Sequence, residues 1–201
     1  MGSRRIVLID SPVANVANIR RALEGAGASV TLSADPAEVA DAAKLVLPGV
    51  GSFAAAMEWL AASGIGDATR AAVAGGAWLL GICVGHQVLF EDSDEDGRRR
   101  GLGLLAGRVR RFTGLMPVPQ IGWNRVRGLG HPLFAGVAEG TPFYFVNSYR
   151  VADAAAEIAS SEYGGRFTAA AARGRVAGVQ FHPEKSSSAG RRLLRNFVEL
   201  S

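Results

Sequence analysis

Short apolar runs alternate with segments of helical spacing over about the first 90 residues, and this alternation constrains the fold more than any other feature. The apolar runs predict strands at residues 5–9, 29–32, 44–47 and 78–82. The helical spacing predicts helices at residues 15–23, 36–42, 53–61, 67–74 and 84–90. Because alternating strands and helices form βαβ units, we predict an α/β fold with an open, mainly parallel, doubly wound sheet whose faces are covered by helices.

Beyond Arg108 the sequence changes to short strand candidates separated by Gly, Pro and other turn residues. The candidates are residues 108–112, 120–126, 143–148, 158–163, 167–171 and 176–181, and a closing helix is predicted at 186–198. Neither a long linker nor an internal repeat divides the chain. We therefore predict one domain, residues 1–201, in which antiparallel strands extend the parallel sheet.

Composition excludes several classes of protein. The chain is 48% apolar and 20% charged, which argues against disorder, and no apolar run approaches the roughly 18 residues of a membrane span. The apolar run at residues 6–9 is too short for a signal peptide, so we expect a soluble, cytoplasmic protein. Cys83 is the only cysteine, which suits a reducing compartment, and the chain has only three histidines. We expect neither a metal nor a cofactor.

The net charge of +4 raises the question of a nucleic-acid partner. The densest basic cluster, residues 98–100, directly follows an acidic run at 91–96, so opposite charges cancel much of the local field. The stripe of basic and aromatic residues typical of RNA-binding sheets is not present. We expect no nucleic-acid partner, and interpret the charge as a solvated basic surface or a patch for an acidic protein.

The sequence Gly-Ile-Cys-Val-Gly at residues 81–85 lies between a predicted strand and a predicted helix. This is the cysteine form of the nucleophile elbow, in which small neighbours allow a sharp turn that projects the nucleophile. The N–H of Val84 can then donate to an oxyanion, and the helix N-terminus stabilises a thiolate at Cys83. The alternative is a buried, inert thiol.

A possible base and its orienting group stand together at the end of the last predicted strand. Strand alternation places Gln180 and His182 on one face, and Glu184 follows two residues later. A Cys nucleophile needs a base, and the base needs an acceptor on its other ring nitrogen, so His182 and Glu184 can complete a triad. His86 is the rival base, whereas His131 has the setting of a turn residue.

Two glycine-rich segments have different interpretations. In residues 48–52, Gly49, Val50 and Gly51 follow a predicted strand and can supply a second oxyanion N–H, although a plain turn is the alternative. Residues 101–106, Gly-Leu-Gly-Leu-Leu-Ala, fit a dinucleotide-binding pattern but lack the strand before and the helix after that such a site requires. We predict no dinucleotide site there.

The residues alone therefore predict Cys-His-Glu acyl-transfer chemistry on an amide, ester or thioester, and leave the substrate open. The chain also resembles the class I (triad) glutamine amidotransferases, most closely the glutaminase subunits of imidazole glycerol phosphate synthase. The segments that carry this resemblance are residues 47–53, 81–87, 101–105, 121–124, 144–149 and 178–186. The resemblance runs through nearly the whole chain and implies a flavodoxin-like sheet.

The resemblance implies a specific reaction. Cys83 would attack the side-chain amide of L-glutamine, His182 would protonate the departing ammonia, and Glu184 would hold the imidazole while water releases glutamate. The resemblance also implies which residues hold the substrate: Gln87, Glu95 and the backbone around Ser148 and Tyr149.

The resemblance further implies a partner, a (β/α)₈-barrel cyclase subunit that receives the ammonia for histidine biosynthesis. In that family the segment matching residues 48–51 presents its backbone wrongly for the oxyanion until the synthase subunit binds. The chain departs from the family at His86, usually Met, at Asn147, usually His, and in the loop at residues 10–16.

Two alternative functions remain at this point. One is the glutaminase subunit of pyridoxal phosphate synthase or of anthranilate synthase, against which residues 48–53 and 121–124 argue. The other is a binding module in which Cys83 is structural.

Overall fold

The computed structural model describes residues 4–12 and 15–201. Residues 1–3, at the start of the chain, and 13–14, in the loop that departs from the family, lie outside the described residues. The strands are β1 Arg5–Ile9, β2 Ser29–Ser33, β3 Lys44–Leu47, β4 Trp78–Ile82, β5 Asp92–Ser93, β6 Arg99–Arg100, β7 Arg108–Arg111, β8 Gln120–Arg125, β9 Pro142–Asn147, β10 Tyr149–Val151, β11 Glu157–Glu162, β12 Arg166–Arg173 and β13 Val176–Val179. The helices are α1 Val16–Gly25, α2 Pro36–Ala40, α3 Phe53–Ala62, α4 Ile65–Ala74, α5 Val84–Gln87 and α6 Ser187–Glu199, with 3₁₀ turns at Pro132–Phe134 and Pro183–Lys185.

One large mixed sheet runs through the described residues. Its parallel half has the order β2-β1-β3-β4-β13, which is the flavodoxin-like order when β13 is counted as the fifth strand. Antiparallel β12 continues the sheet to β10 and β7, β5 and β6 follow, and β11 pairs with the other edge of β12. The predicted α/β fold, a doubly wound parallel sheet extended by antiparallel strands, is confirmed.

The central strands are mostly apolar because helices cover them on both faces. Every residue of β3 and β13 is buried, as expected for parallel strands in the middle of such a sheet. Side-chain caps define where the first helices begin: Asn15 caps α1, Asp35 caps α2 and Ser52 caps α3. Strands end and helices begin at one edge of the sheet, and the candidate catalytic residues lie there.

The elbow helix is shorter than predicted. Residues 84–90 were expected to form one helix, but α5 ends at Gln87. The carbonyls of Val88, Leu89 and Phe90 instead accept hydrogen bonds from the N–H groups of residues 102–105. A Cβ at Gly101 would lie 2.2 Å from the Phe90 carbonyl oxygen, so the glycine-rich segment that mimics a dinucleotide pattern allows this close backbone pairing.

Beyond residue 90 the strands and their pairing also differ from the prediction. Strands β5, β6 and β10 were not predicted, and β8 pairs with β9 in a separate two-stranded sheet. Strand β13 ends at Val179, two residues before the predicted end, because the His182 N–H donates to the Tyr144 carbonyl of β9 at 2.8 Å. The backbone thereby leaves the large sheet just before His182.

No helix within residues 4–12 and 15–201 combines the length and the apolar character needed to cross a lipid bilayer.

Candidate active site

Cys83 occupies a strained turn between β4 and α5. Its backbone has φ 57° and ψ −111°, a conformation that a residue with a Cβ rarely adopts. The turn requires glycine on both sides. A Cβ at Gly81 would lie 2.5 Å from the Gly85 carbonyl oxygen, and one at Gly85 would lie 2.0 Å from the Leu47 carbonyl oxygen. The chain therefore has the geometry of a nucleophile elbow at its only cysteine.

His182 and Glu184 form a buried pair beside this elbow. The Nδ1 atom of His182 lies 2.9 Å from Oε1 of Glu184, and the ring also interacts with the Cys83 side chain. Pro183 begins the 3₁₀ turn that brings Glu184 back to the imidazole. Burial alone lowers the pKa of His182, but hydrogen bonds to Cys83 and Glu184 and the charges of both outweigh it and raise the pKa to about 10. The imidazolium form is therefore favoured next to the sulfur.

The elbow opens into a cavity of about 310 Å³. Its lining residues are Val50, Gly51, Cys83, Val84, Gln87, Glu95, Pro119, Val146, Asn147, Ser148, Tyr149, His182 and Lys185. Nine of the residues predicted from the sequence are among them, while Gly49 and Glu184 do not line the cavity. The cavity is within the range of small-molecule sites in proteins.

Four lining residues were not predicted as site residues: Pro119, Val146, Asn147 and Lys185. Lys185 directly follows Glu184, and Asn147 precedes Ser148. Their position next to predicted site residues could have indicated that they line the cavity. Pro119 has no such signal, because it reaches the cavity from the loop before β8.

A larger cavity, of about 840 Å³, lies elsewhere on the surface. It is lined by arginines such as Arg70 and Arg100, together with Glu91 and Asp92, and it contains neither Cys83 nor His182. Size therefore does not identify the reactive site. The cavity of about 310 Å³ is the candidate site, because the Cys83 thiol at the elbow and the His182 imidazole both line it.

Two polar side chains, those of Gln87 and Glu95, also line the cavity. The Nε2 group of Gln87 donates to the Tyr149 carbonyl at 3.0 Å. Glu95 accepts the Phe53 N–H at 2.7 Å, and burial is the largest influence that raises the pKa of this carboxyl above its usual range. A carboxylate in this environment gains stability from a cation placed beside it.

The segment at residues 48–51 presents a carbonyl, not an N–H, to the elbow. The Val84 N–H donates to the Gly49 carbonyl oxygen at 3.3 Å. This N–H is the donor that an oxyanion at the elbow would use, and here the Gly49 carbonyl already accepts it. A Cβ at Gly49 would lie 2.7 Å from the Gly85 nitrogen, so only glycine allows this approach. Gly51 has φ +86°, a second position that favours glycine.

The two other histidines lie outside this cavity. His86 is fully buried against Phe90, and no partner for either of its ring nitrogens occurs among the residues described. Burial lowers the pKa of His86 to about 3, so its ring is neutral at ordinary pH. His131 accepts the Leu133 N–H at 3.2 Å and caps the turn at Pro132–Phe134, as expected for a turn residue.

In the described part of the chain, no group of three or more His, Cys, Asp or Glu side chains is arranged to hold a metal ion.

Comparisons with known proteins agree with the sequence resemblance. The family described as glutamine amidotransferase class-I matches residues 7–200. The imidazole glycerol phosphate synthase subunit HisH of Symbiobacterium thermophilum is 48% identical over 198 residues, covering 96% of this chain and 92% of its own. The HisH subunit of Gloeobacter violaceus is 48% identical, covering 96% and 88% respectively.

A solved structure supports the fold. A glutamine amidotransferase from Thermotoga maritima superposes with a TM-score of 0.69 at 15% identity, covering all of both chains. The family predicted from residues 81–87 and 178–186 is thus confirmed by sequence, and the architecture by structure. The chain belongs to the class I glutamine amidotransferases and, within them, to the family of the HisH subunits of imidazole glycerol phosphate synthase.

Proposed function

We propose that this chain is the glutaminase subunit of imidazole glycerol phosphate synthase, with residues 1–201 forming one glutamine amidotransferase domain. It hydrolyses L-glutamine to glutamate and ammonia through a thioester on Cys83. The observation that carries this proposal is the meeting of Cys83, His182 and Glu184 at a strained elbow that opens into an amino-acid-sized cavity. The large sheet and its shared core favour one domain.

The reaction proceeds in two steps. The Cys83 sulfur attacks the side-chain carbonyl carbon of glutamine, a C–S bond forms, and the C–N bond breaks as His182 gives its proton to the departing ammonia. His182, now neutral, accepts a proton from water, whose oxygen attacks the thioester and releases glutamate and the thiolate. Glu184 holds the imidazole in orientation through Nδ1 in both steps.

Polar residues that line the cavity bind the substrate. Glu95 pairs with the α-ammonium group of glutamine, which offsets the burial of this carboxylate. Gln87, Ser148 and Tyr149 line the same part of the cavity and hold the remaining polar groups of the amino acid.

Stabilisation of the oxyanion by backbone N–H groups requires a change of conformation in the loop at residues 48–51. With the carbonyl of Gly49 on the Val84 N–H, neither Val84 nor Val50 can donate to the oxyanion. Rotation of the Gly49–Val50 peptide frees the first donor and turns the second inward, and the glycines at 49 and 51 keep the steric barrier low. The isolated chain is therefore expected to bind glutamine but to hydrolyse it slowly.

The partner that triggers this rotation is a (β/α)₈-barrel cyclase subunit, which uses the ammonia to make imidazole glycerol phosphate and an aminoimidazole carboxamide ribonucleotide. Exposed apolar side chains near the cavity support docking on this face: Val50 is 38% exposed, Ile121 65% and Trp123 53%. The proposed setting is the cytoplasm, where a reducing environment keeps the thiol of Cys83 free. No nucleic acid, membrane, metal or cofactor takes part.

The test is Cys83→Ala in the complex with the cyclase subunit. Synthesis with glutamine should be lost, while synthesis with an added ammonium salt should persist, because the cyclase needs only ammonia. Glutamine-dependent synthesis in this variant would overturn the mechanism. Labelling of wild-type Cys83 by a diazoketone analogue of glutamine distinguishes a nucleophile from an inert thiol. Activation by the synthase of another pathway, and not by the cyclase, would overturn the proposed partner.

A further inference from the structure

Gln180 contacts both Cys83 and the cavity-lining Gln87, and the proposed mechanism gives it no role. It follows β13 directly and is fully buried. Its backbone N–H donates to the Ala169 carbonyl of β12 at 2.8 Å, which holds the residue at the edge of the large sheet. The Oε1 atom accepts a hydrogen bond from Nε2 of Gln87 at 3.0 Å, and Nε2 lies 4.0 Å from Sγ of Cys83.

The contact with Gln87 determines which atom that side chain presents to the cavity. A carboxamide has two N–H donors on its nitrogen and one acceptor oxygen. Both donors of Gln87 are used, one by the Tyr149 carbonyl and one by Gln180 Oε1, each at 3.0 Å. The oxygen of Gln87 is therefore the atom left for the ligand, and it can accept an N–H of the α-ammonium or amide group of glutamine.

The contact with Cys83 concerns the charge on the nucleophile. The amide nitrogen of Gln180 is buried, and the acceptor found for it among the described residues is the Cys83 sulfur. Buried N–H groups in proteins find acceptors, and hydrogen bonds to ionised acceptors are stronger than those to neutral ones. An N–H directed at this sulfur favours the thiolate over the thiol.

We propose that Gln180 is a positioning residue of the glutaminase site, whose one carboxamide fixes the orientation of Gln87 and donates to the sulfur of Cys83. This inference rests on the proposed function. Gln180 couples glutamine binding to the charge on the Cys83 sulfur, because its hydrogen bonds to Gln87 and to Cys83 belong to one rigid amide group. A displacement of Gln87 on substrate binding is thereby transmitted to the donor at Cys83.

Two substitutions separate the two hydrogen bonds. Gln180→Leu removes both, so KM for glutamine in the complex should rise about tenfold, and the midpoint of the pH profile for alkylation of Cys83 by iodoacetamide should move up by about one pH unit. Gln180→Glu keeps an acceptor for Gln87 but places an oxygen at the sulfur. Its KM should stay within about threefold of wild type, while the alkylation midpoint still moves up.

The control is Asn196→Leu, which removes another buried carboxamide, one that donates to the Leu133 and Ala135 carbonyls and does not line the cavity. It should change neither KM nor the alkylation midpoint. An unchanged alkylation midpoint in folded Gln180→Leu, or in Gln180→Glu if the Leu variant does not fold, would overturn the inference. So would a shift of equal size in Asn196→Leu. Alkylation by iodoacetamide requires no glutamine, so these outcomes are distinct from a failure of the proposed function, which Cys83→Ala tests.

Discussion

Replacing Val50 by proline removes one hydrogen-bond donor from the loop that faces the elbow. In the structure the Gly49 carbonyl accepts the Val84 N–H at 3.3 Å, so the Val50 N–H does not face the reacting centre. After rotation of the Gly49–Val50 peptide this N–H becomes the second donor to the oxyanion. Proline has no N–H, so the Val50→Pro variant can complete the rotation without providing that donor.

Two free-energy terms describe the change in this loop, and only the second differs between wild type and Val50→Pro. Breaking the hydrogen bond between Val84 and Gly49 costs about 1 kcal/mol, a cost that the partner subunit must offset. One preorganised oxyanion donor contributes about 3–4 kcal/mol to the transition state, equivalent to a rate factor of about 10²–10³. Wild type and Val50→Pro both break the Val84–Gly49 hydrogen bond, so only the donor term separates them, and Val50→Pro should lower the glutamine-dependent kcat of the complex by about 10²–10³-fold.

The assay compares glutamine-dependent with ammonium-dependent synthesis in the complex with the cyclase subunit. Val50→Pro should lose the first activity and keep the second, and size-exclusion chromatography should show that the complex still assembles. Val50→Ala is the matched control, since it trims the same half-exposed side chain but keeps the N–H. An unimpaired Val50→Pro complex, or an equal loss in Val50→Ala, would refute the assignment of this peptide as an oxyanion donor.

Three further predictions concern the histidines. His182→Asn should lower the glutaminase kcat of the complex by about 10²–10⁴-fold, whereas His86→Met should change it little; equal losses would mean that the base is wrongly assigned. Because the pKa of His182 is raised to about 10, kcat should hold as pH rises past 6.5 and fall only near pH 10, where the imidazolium loses its proton, and Glu184→Gln should move this fall to lower pH. Because the pKa of His86 is lowered to about 3, the folded state binds fewer protons than the unfolded state between pH 6.5 and 3. This group's contribution to stability is present above pH 6.5, and about 2 kcal/mol of it is lost at pH 5. Urea unfolding measures the free energy of unfolding at pH 8 and at pH 5, and the drop between them should be smaller in His86→Met than in wild type by this amount. Equal drops in the two proteins would contradict the burial argument.

The sequence by itself determined the features that depend on neighbouring residues. The apolar runs predicted β1, β3 and β4 at their observed bounds, because strands that helices cover on both faces are mostly apolar. The elbow at Cys83 was predictable because its glycines lie within two residues of it. The pairing of His182 with Glu184 was predictable for the same reason, since one 3₁₀ turn joins them.

The tertiary structure decided whatever depends on pairing between distant segments. Past Gln87 the N–H groups of Leu89 and Phe90 donate to carbonyls three residues back, and the carbonyls of residues 88–90 accept hydrogen bonds from residues 102–105, a segment distant in sequence. Short strands such as β5 and β10 form through pairing with other strands: β10 pairs with β7 and β12, and β5 pairs with β6 and β7.

The same holds for the atoms that line the site. Pro119 reaches the cavity from a remote loop, and Gln180 contacts Gln87 across a separation of 93 residues. The direction of the Gly49 carbonyl is set by its contact with Val84, because glycine allows the peptide either orientation. Local sequence determined which residues are candidates for the triad. The orientation of the Gly49–Val50 peptide and the hydrogen bond between Gln87 and Gln180 come from contacts that form only when distant segments pack together.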